Sequence, residues 1–274
     1  MRPVLLALLL SMSLQTVGWA GASRDFDGNG DYLSCGTNIS AHMPTTAVSV
    51  CAWVNIEGDN ASGQDQSVID NRLSAPATNS NGFVLQVQKA SASHAIRFFI
   101  YDTGFRGGGA TGLTAGVWTH ICGTWSKASG DVKTYKNGVV TNTSASNTSD
   151  ITYGVTHVLS VGRTDGNLLI SNEYVNGNIA YAHLWNREIT LAEVVENGFH
   201  PGFPAESLVG YWPVWNPADP EGDLSGQGNN CTITAAVEST NGPPVFLTTP
   251  SAWRRMLQRW MTYWWKFDEL VADV

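Results

Sequence analysis

Short runs of β-forming residues, separated by turn residues, recur along most of the chain. Clear examples are 48–54, 82–87 and 96–101, which are rich in β-branched and aromatic side chains. Asn137-Gly138 lies between two further runs, and this pair is typical of a tight hairpin because both turn positions need a positive φ angle. Strands at this spacing, without helical patterns between most of them, predict an antiparallel β-sandwich over residues 23–240.

One short helix is predicted inside this domain. Thr190-Leu191-Ala192-Glu193 is a capping box, in which the threonine and glutamate side chains bond each other's backbone N–H groups. Gly198 is a residue that can end the helix. The length of 274 residues suits one large β domain with additional terminal segments, since such domains often contain roughly 200–250 residues.

The first 22 residues are predicted to be a secretory signal peptide. Arg2 gives a positive start, residues 4–14 form an apolar run, and Ala20-Gly21-Ala22 is a small-residue cleavage site. An uncleaved membrane anchor is the alternative interpretation. Either one predicts a secreted, extracellular or cell-surface protein.

The chain changes character after Asn241. Residues 241–274 are predicted to be a linker followed by an amphipathic helix over 251–271, in which Trp253, Trp260 and Trp264 share a face and basic residues adjoin it. Three partners remain open for that face: the sandwich itself, a second copy of the chain, or a membrane interface.

Several classes of function are disfavoured by the sequence. The net charge of −8 speaks against nucleic acid, which requires a basic surface. Beyond the opening turn, no pair of acids alternates along a strand, as the carboxylate pair of a glycosidase often does. The six histidines show no zinc spacing, and no G-x-S-x-G motif occurs. The sequence therefore offers no candidate catalytic residues.

Four stretches carry a resemblance to a known group of proteins. Three of them are 25–33 (DFDGNGDYL), 176–187 (NGNIAYAHLWNR) and 208–213 (LVGYWP), which resemble the laminin G-like branch of the concanavalin A-like superfamily. The fourth, 120–125 (HICGTW), fits the pentraxin signature H-x-C-x-[ST]-W. The resemblance implies a jelly-roll sandwich that binds ligands at its edge loops.

The resemblance also implies a disulfide bond. Pentraxins join the signature cysteine to one on an earlier strand, and Cys51 stands where the partner of Cys122 is expected. Two reduced, buried cysteines are the alternative, although an exported chain with four cysteines favours bonding. Cys35 and Cys231 are candidates for a second bridge, because such folds often bring the ends of the domain together.

Calcium is a candidate cofactor on the same grounds, because many pentraxins bind two calcium ions. The positions carried over are Asp165, Glu173, Asn79 and Asn81. Arg163 lies near the place where that family has an acid, and its cation would oppose a metal. Calcium prefers about six to eight oxygen ligands, several of them carboxylates, and this set supplies few.

The leading hypothesis is a secreted, non-catalytic module that binds a carbohydrate or another extracellular ligand, such as a protein. The main alternative is a structural or adhesion protein that assembles through its tail helix. A glycoside hydrolase with dispersed acids is the third. The sequence does not identify ligand-binding residues, because a fold does not determine a function.

Overall fold

The computed structural model of the chain describes residues 22–36, 42–72, 81–89, 94–101, 105–109, 112–145, 149–153, 158–164 and 173–244. The described residues form two antiparallel sheets of eight strands each, with one helix, α1 (Leu191–Phe199). This architecture confirms the predicted antiparallel β-sandwich.

The first sheet, called sheet I, contains β1 (Ser23–Asp27), β3 (Ala47–Ile56), β9 (Thr119–Ser126), β10 (Asp131–Lys136), β11 (Val139–Ala145), β13 (Asn176–Trp185), β14 (Leu208–Trp212) and β16 (Val237–Ser239). Its strand order is β11-β10-β9-β3-β13-β1-β16, with β14 paired to β13. The first and last strands are neighbours, so the two ends of the sandwich meet in this sheet. The turn between β10 and β11 is the predicted one, with φ angles of 49° at Asn137 and 77° at Gly138.

The second sheet, sheet II, contains β2 (Tyr32–Ser34), β4 (Gln66–Asp70), β5 (Gly82–Gln88), β6 (His94–Tyr101), β7 (Phe105–Gly108), β8 (Gly112–Leu113), β12 (Ser160–Val161) and β15 (Thr232–Thr234). Its strand order is β15-β2-β12-β4-β5-β6-β7, with β8 paired to β6. Neighbours in both sheets are often distant in sequence, as expected for a jelly roll.

Successive side chains of β3 pack alternately on the two faces of sheet I. Val50, Ala52 and Val54 belong to the core between the sheets, whereas Cys51 and Trp53 belong to clusters on the opposite face. Successive side chains of a strand point to opposite faces, so every second residue reaches the core. All residues of β3 after Ala47 are buried, because the outer face of sheet I is covered as well.

Helix α1 packs over that outer face. Its predicted capping box is present: the Glu193 N–H donates to the Thr190 Oγ1 at 3.3 Å, and the Thr190 N–H donates to the Glu193 carboxylate at 2.8 Å. The helix continues past Gly198 to Phe199, so Gly198 is not the terminating residue that the sequence suggested. Gly198 instead permits close packing, because a Cβ atom there would lie 3.1 Å from the His120 Nδ1.

Both predicted disulfide bonds are present. Cys51 and Cys122 are directly opposed on β3 and β9, with their Cα atoms 4.2 Å apart. Cys35 and Cys231 are joined across 196 residues with a Cα separation of 3.9 Å. Both separations are slightly below the usual range of about 4.4–6.8 Å. A bridge that closes 71 residues stabilises a fold by about 4 kcal/mol in the chain-entropy treatment.

The predictions made for the two ends of the chain, a signal peptide and a tail helix, stay predictions. The signal peptide falls on residues outside the described ones, except for residue 22, and the tail helix over 251–271 lies wholly outside them. Among the described residues, no helix has both the length and the apolar character needed to span a membrane.

Candidate functional site

The outer face of sheet II brings side chains from five strands into one row. Strand register aligns Ser34, Ser160, Asp70, Val84 and Phe99 side by side. Their neighbours in sequence include core residues, so this row points away from the core. Four residues of the row are buried and Ser34 is half-buried, so the accessible surface of this face is formed by other half-buried side chains of the same strands, such as Tyr32 and Tyr101.

A buried ionic cluster lies at one end of this surface. The Arg72 Nη2 donates to the Asp70 carboxylate at 2.5 Å and also to the Glu173 carboxylate. The same nitrogen reaches the Ser67 hydroxyl at 2.9 Å and the Thr164 hydroxyl at 3.1 Å. Both hydroxyls donate to the Glu173 Oε2 at 2.7 Å. All five residues are buried, and they join β4 to the segments around 164 and 173.

Burial and the opposite charges compete in setting the pKa values of the cluster. It raises the pKa of Asp70, and the neighbouring Arg72 only partly opposes that rise. Burial alone would lower the pKa of Arg72, but the two carboxylates outweigh it and hold the pKa well above its usual value. Two carboxylates thus share one guanidinium, and its removal would leave both without a counter-charge.

Arginine side chains contact aromatic rings along the same face. The guanidinium carbon lies within about 6 Å of a ring centroid in each pair, which is the distance range of cation–π contacts. The pairs are Arg163 with Tyr32 at 3.3 Å, Arg72 with Tyr101 at 5.7 Å, and Arg97 with Phe99 at 5.9 Å. The rings of Phe99 and Tyr101 meet edge to face at 6.4 Å. Tyr32, Tyr101, Arg97 and Arg163 are half-buried, so parts of these pairs face solvent.

The calcium candidates divide into two groups. Asp165 and Asn79 lie outside the described residues, and Asn81 is half-buried immediately before β5. Glu173 is described, and its Oε2 accepts hydrogen bonds from a guanidinium and two hydroxyl groups. A positive guanidinium beside this carboxylate repels a cation and uses the oxygen that a metal would need. Glu173 therefore does not fit a calcium ligand, and the other three positions stay predictions.

Sequence reasoning identified Glu173 but missed Asp70 and Arg72. Arg72 and Glu173 are separated by 101 residues, so no local motif links them. A weak signal was available in Asp70-Asn71-Arg72, where two opposite charges follow the apolar residues of β4. Charges that flank a buried strand indicate an ion pair, but they do not identify its distant member.

A second cluster lies on the outer face of sheet I, beneath α1. His183 stacks on Tyr211, with ring centroids 4.5 Å apart, and on Trp185 at 5.3 Å. The Gly202 N–H donates to the His183 Nε2 at 2.8 Å, and the Trp185 indole donates to the Pro204 carbonyl at 2.7 Å. These contacts attach the segment after α1 to the sheet.

Two histidines in this region are held neutral. Burial lowers the pKa of His120 to about 4 and that of His183 to about 3. The ligand atoms of Cys51, His120 and Cys122 lie within 4.8 Å of one another, a spacing that suits a metal ion. The two sulfur atoms are joined in a disulfide, however, and offer no thiolate. This cluster is structural in its oxidised form.

Comparisons with known proteins agree on the fold. A laminin G-like family model, described as the concanavalin A-like lectin/glucanases superfamily, matches residues 27–195, which is more than half of the chain. No curated protein matches the chain in sequence. Similar solved structures include a candidate carbohydrate-binding protein from Bacteroides ovatus, with a TM-score of 0.60 and 14% identity. The match covers 84% of this chain and 62% of that protein, so the chain spans less than two thirds of its length.

Two further structures have a TM-score of 0.50. A heptameric SAP-like pentraxin from Limulus polyphemus is 15% identical, and the match covers 66% of this chain and 83% of that one. The CBM40 of a Ruminococcus gnavus IT-sialidase, bound to α2,6-sialyllactose, is 13% identical over 64% of this chain and 95% of that one. At these identities the likeness concerns the fold alone.

Proposed function

The chain belongs to the concanavalin A-like lectin/glucanases superfamily, and from this premise we propose that it is a secreted, non-catalytic carbohydrate-binding module. One observation carries the proposal: half-buried arginines and tyrosines lie along the outer face of sheet II. Aromatic rings offer a flat apolar surface to a sugar ring, and arginine N–H groups donate to its oxygens. The binding proteins among the similar folds support this interpretation.

Strands give this surface a fixed geometry. Tyr32 and Tyr101 belong to β2 and β6, which are held in sheet II by backbone pairing on both sides. Sites on rigid elements keep their side chains in place before the ligand arrives, so less conformational entropy is lost on binding. Export is supported by the first 22 residues and by the two disulfides, which form in oxidising compartments.

The ionic cluster favours binding over hydrolysis. A retaining glycosidase places the sugar between two carboxyl groups about 5 Å apart. Asp70 and Glu173 do approach each other, but the Arg72 guanidinium lies between them and bonds both. Asp70 is also fully buried and does not reach solvent. Arg72 therefore occupies the space between the two carboxylates that a catalytic site would leave open for the substrate. The proposed binding function requires no calcium ion.

A glycan array probed with the full chain tests the proposed function, followed by calorimetry on the best ligands. Tyr101→Leu should weaken binding about tenfold, since it removes a ring from the proposed surface. Trp215→Leu is the matched control, because Trp215 is an accessible aromatic residue that follows β14 of sheet I. Binding to no glycan, or equal effects of the two variants, would contradict the proposal.

Hydrolysis is tested on the same ligands. Prolonged incubation with the pure protein should release no reducing ends. Release that disappears in the Glu173→Gln variant would establish the hydrolase alternative instead.

A further inference from the structure

Of the described arginines, only Arg163 and the exposed Arg106 have no ion pair with a described carboxylate. Arg24, Arg72, Arg97 and Arg187 each face a carboxylate within 4.0 Å. Arg163 has no ion pair with a described residue, and its Nε is buried without a hydrogen-bond acceptor. A buried donor on a charged group without an acceptor is unfavourable. Because the Nε is closed to solvent, a ligand can reach only the half-buried remainder of the guanidinium, whose charge no described carboxylate balances.

The orientation of Arg163 is defined by Tyr32. Its guanidinium carbon lies 3.3 Å from the centroid of the Tyr32 ring, so the cation rests directly on the aromatic face. Tyr32 flanks Leu33, which belongs to the core, so the Tyr32 side chain lies on the outer face of sheet II. Stacking restricts the guanidinium, and its N–H groups form a planar fork that matches the two oxygens of a carboxylate or sulfate.

Hydroxyl groups lie beside this pair. Thr232 and Thr234 of β15 are paired with Ser34 and Tyr32 of β2, and their neighbour Ile233 packs against the core. Both threonines therefore point to the same outer face as Tyr32, and neither is buried. Hydroxyls beside a cationic fork suit a ligand with several hydroxyl groups and one anionic group.

We propose that Arg163, stacked on Tyr32, binds a carboxylate or sulfate group of an acidic sugar, without calcium. The proposal rests on the proposed carbohydrate-binding function and specifies its ligand class. It also explains the mismatch with calcium: a guanidinium already bonds Glu173, and a second one lies at Arg163, where a cation site would need an acid. The guanidinium of Arg163, which no described carboxylate balances, attracts anions and repels metal ions.

The test compares matched glycans in the presence of EDTA. One pair is oligogalacturonate and its methyl ester, which share a backbone but differ in charge. The other is a sulfated galactan oligosaccharide and its desulfated form. The wild-type chain should prefer the charged member of at least one pair, and the pair that shows the preference distinguishes a carboxylate from a sulfate.

Substitutions test whether Arg163 causes the preference for charged glycans. Arg163→Met should weaken binding of the charged glycan about ten- to hundredfold, the range for a charge-assisted hydrogen bond, and weaken binding of the neutral glycan much less, because only the charged glycan loses an ionic partner. Arg163→Lys should recover only part of the loss, because an ammonium lacks the planar fork. Arg106→Met is the control, since Arg106 is exposed on β7 at the opposite edge of sheet II. Thermal unfolding confirms that each variant is folded.

Three results would overturn the inference: no preference for charged glycans, equal effects of Arg163→Met and Arg106→Met, or loss of binding in EDTA. If neutral glycans bind and charged ones are not preferred, only the ligand class is wrong. If no glycan of any kind binds, the proposed function is wrong as well. Should Arg163→Met prove unstable, the comparison of Arg163→Lys with the wild type decides, because this variant keeps the charge.

Discussion

Replacing Arg72 with methionine should strongly destabilise the fold. Methionine has a similar length but no charge, so Asp70 and Glu173 would remain buried without their counter-ion. Breaking a buried ion pair from one side costs about 3–5 kcal/mol. For a domain of this size, such a loss lowers the melting temperature by roughly 6–20 °C. Denaturant unfolding and calorimetry of the pure protein measure both quantities.

Arg97→Met is the matched control for this experiment. Arg97 lies in the same sheet and faces Asp65 at 3.7 Å, but both side chains are about a quarter exposed. Water and ions screen such a pair, so its loss should cost at most about 1 kcal/mol. If Arg72→Met destabilises the protein no more than Arg97→Met, the buried cluster is not the stabilising ion pair described above.

The pH dependence of the Arg72→Met variant provides a second criterion. Burial already raises the pKa of Asp70, and removal of Arg72 should raise it further. A carboxyl group with a raised folded-state pKa destabilises the native state as pH rises through the interval between the unfolded and folded values. The difference in free energy of unfolding between the variant and the wild type should therefore become smaller as pH falls from 7 to 5. A constant difference would show that lost packing, rather than unpaired charge, causes the effect.

Two further predictions concern the histidines and the tail. The folded-state pKa is about 4 for His120 and about 3 for His183, and both values lie below the unfolded value of 6.5. The free energy of unfolding should therefore be unaffected by these two histidines above pH 6.5 and should decrease as pH falls below it. Each should contribute a slope of up to about 1.4 kcal/mol per pH unit to the free energy of unfolding, and His120→Gln should reduce that slope. Deletion of residues 245–274 should leave a folded sandwich with unchanged glycan affinity but a smaller oligomer or a lower melting temperature. Light scattering and thermal unfolding check this, and identical values for both proteins would contradict a docking role for the tail.

The sandwich could be predicted from the sequence because core-facing and outward-facing residues alternate along strands such as β3. In β3, the even-numbered residues from Val48 to Val54 belong to the core, and the pattern was visible without a structure. The capping box predicted the beginning of α1 for a similar reason, since both its members are local. The pairing of Cys51 with Cys122 followed from the resemblance, because residues far apart in sequence cannot otherwise be matched.

Other features depend on contacts that no local pattern encodes. In β13, the register shifts between Ala180 and His183, and both Ala180 and Tyr181 belong to the outer cluster. Tyr181 adopts a positive φ angle of 53° there, which alternation does not predict. The cluster around Arg72 is equally hidden, since its partners come from segments about a hundred residues apart and meet only when β4 and β12 pair.

The two outer faces of the sandwich differ in a way that explains where a ligand can bind. On sheet I, the large side chains already have protein partners: the Trp53 indole donates to the Gly198 carbonyl at 3.2 Å, and His183 stacks on two rings. A ligand there would have to displace α1 and break these contacts. On sheet II, Tyr32 and Arg163 are half-buried, and the charge of Arg163 is balanced by no described carboxylate. An anionic group that binds there would add an ion pair without displacing a described one, which favours sheet II as the recognition surface.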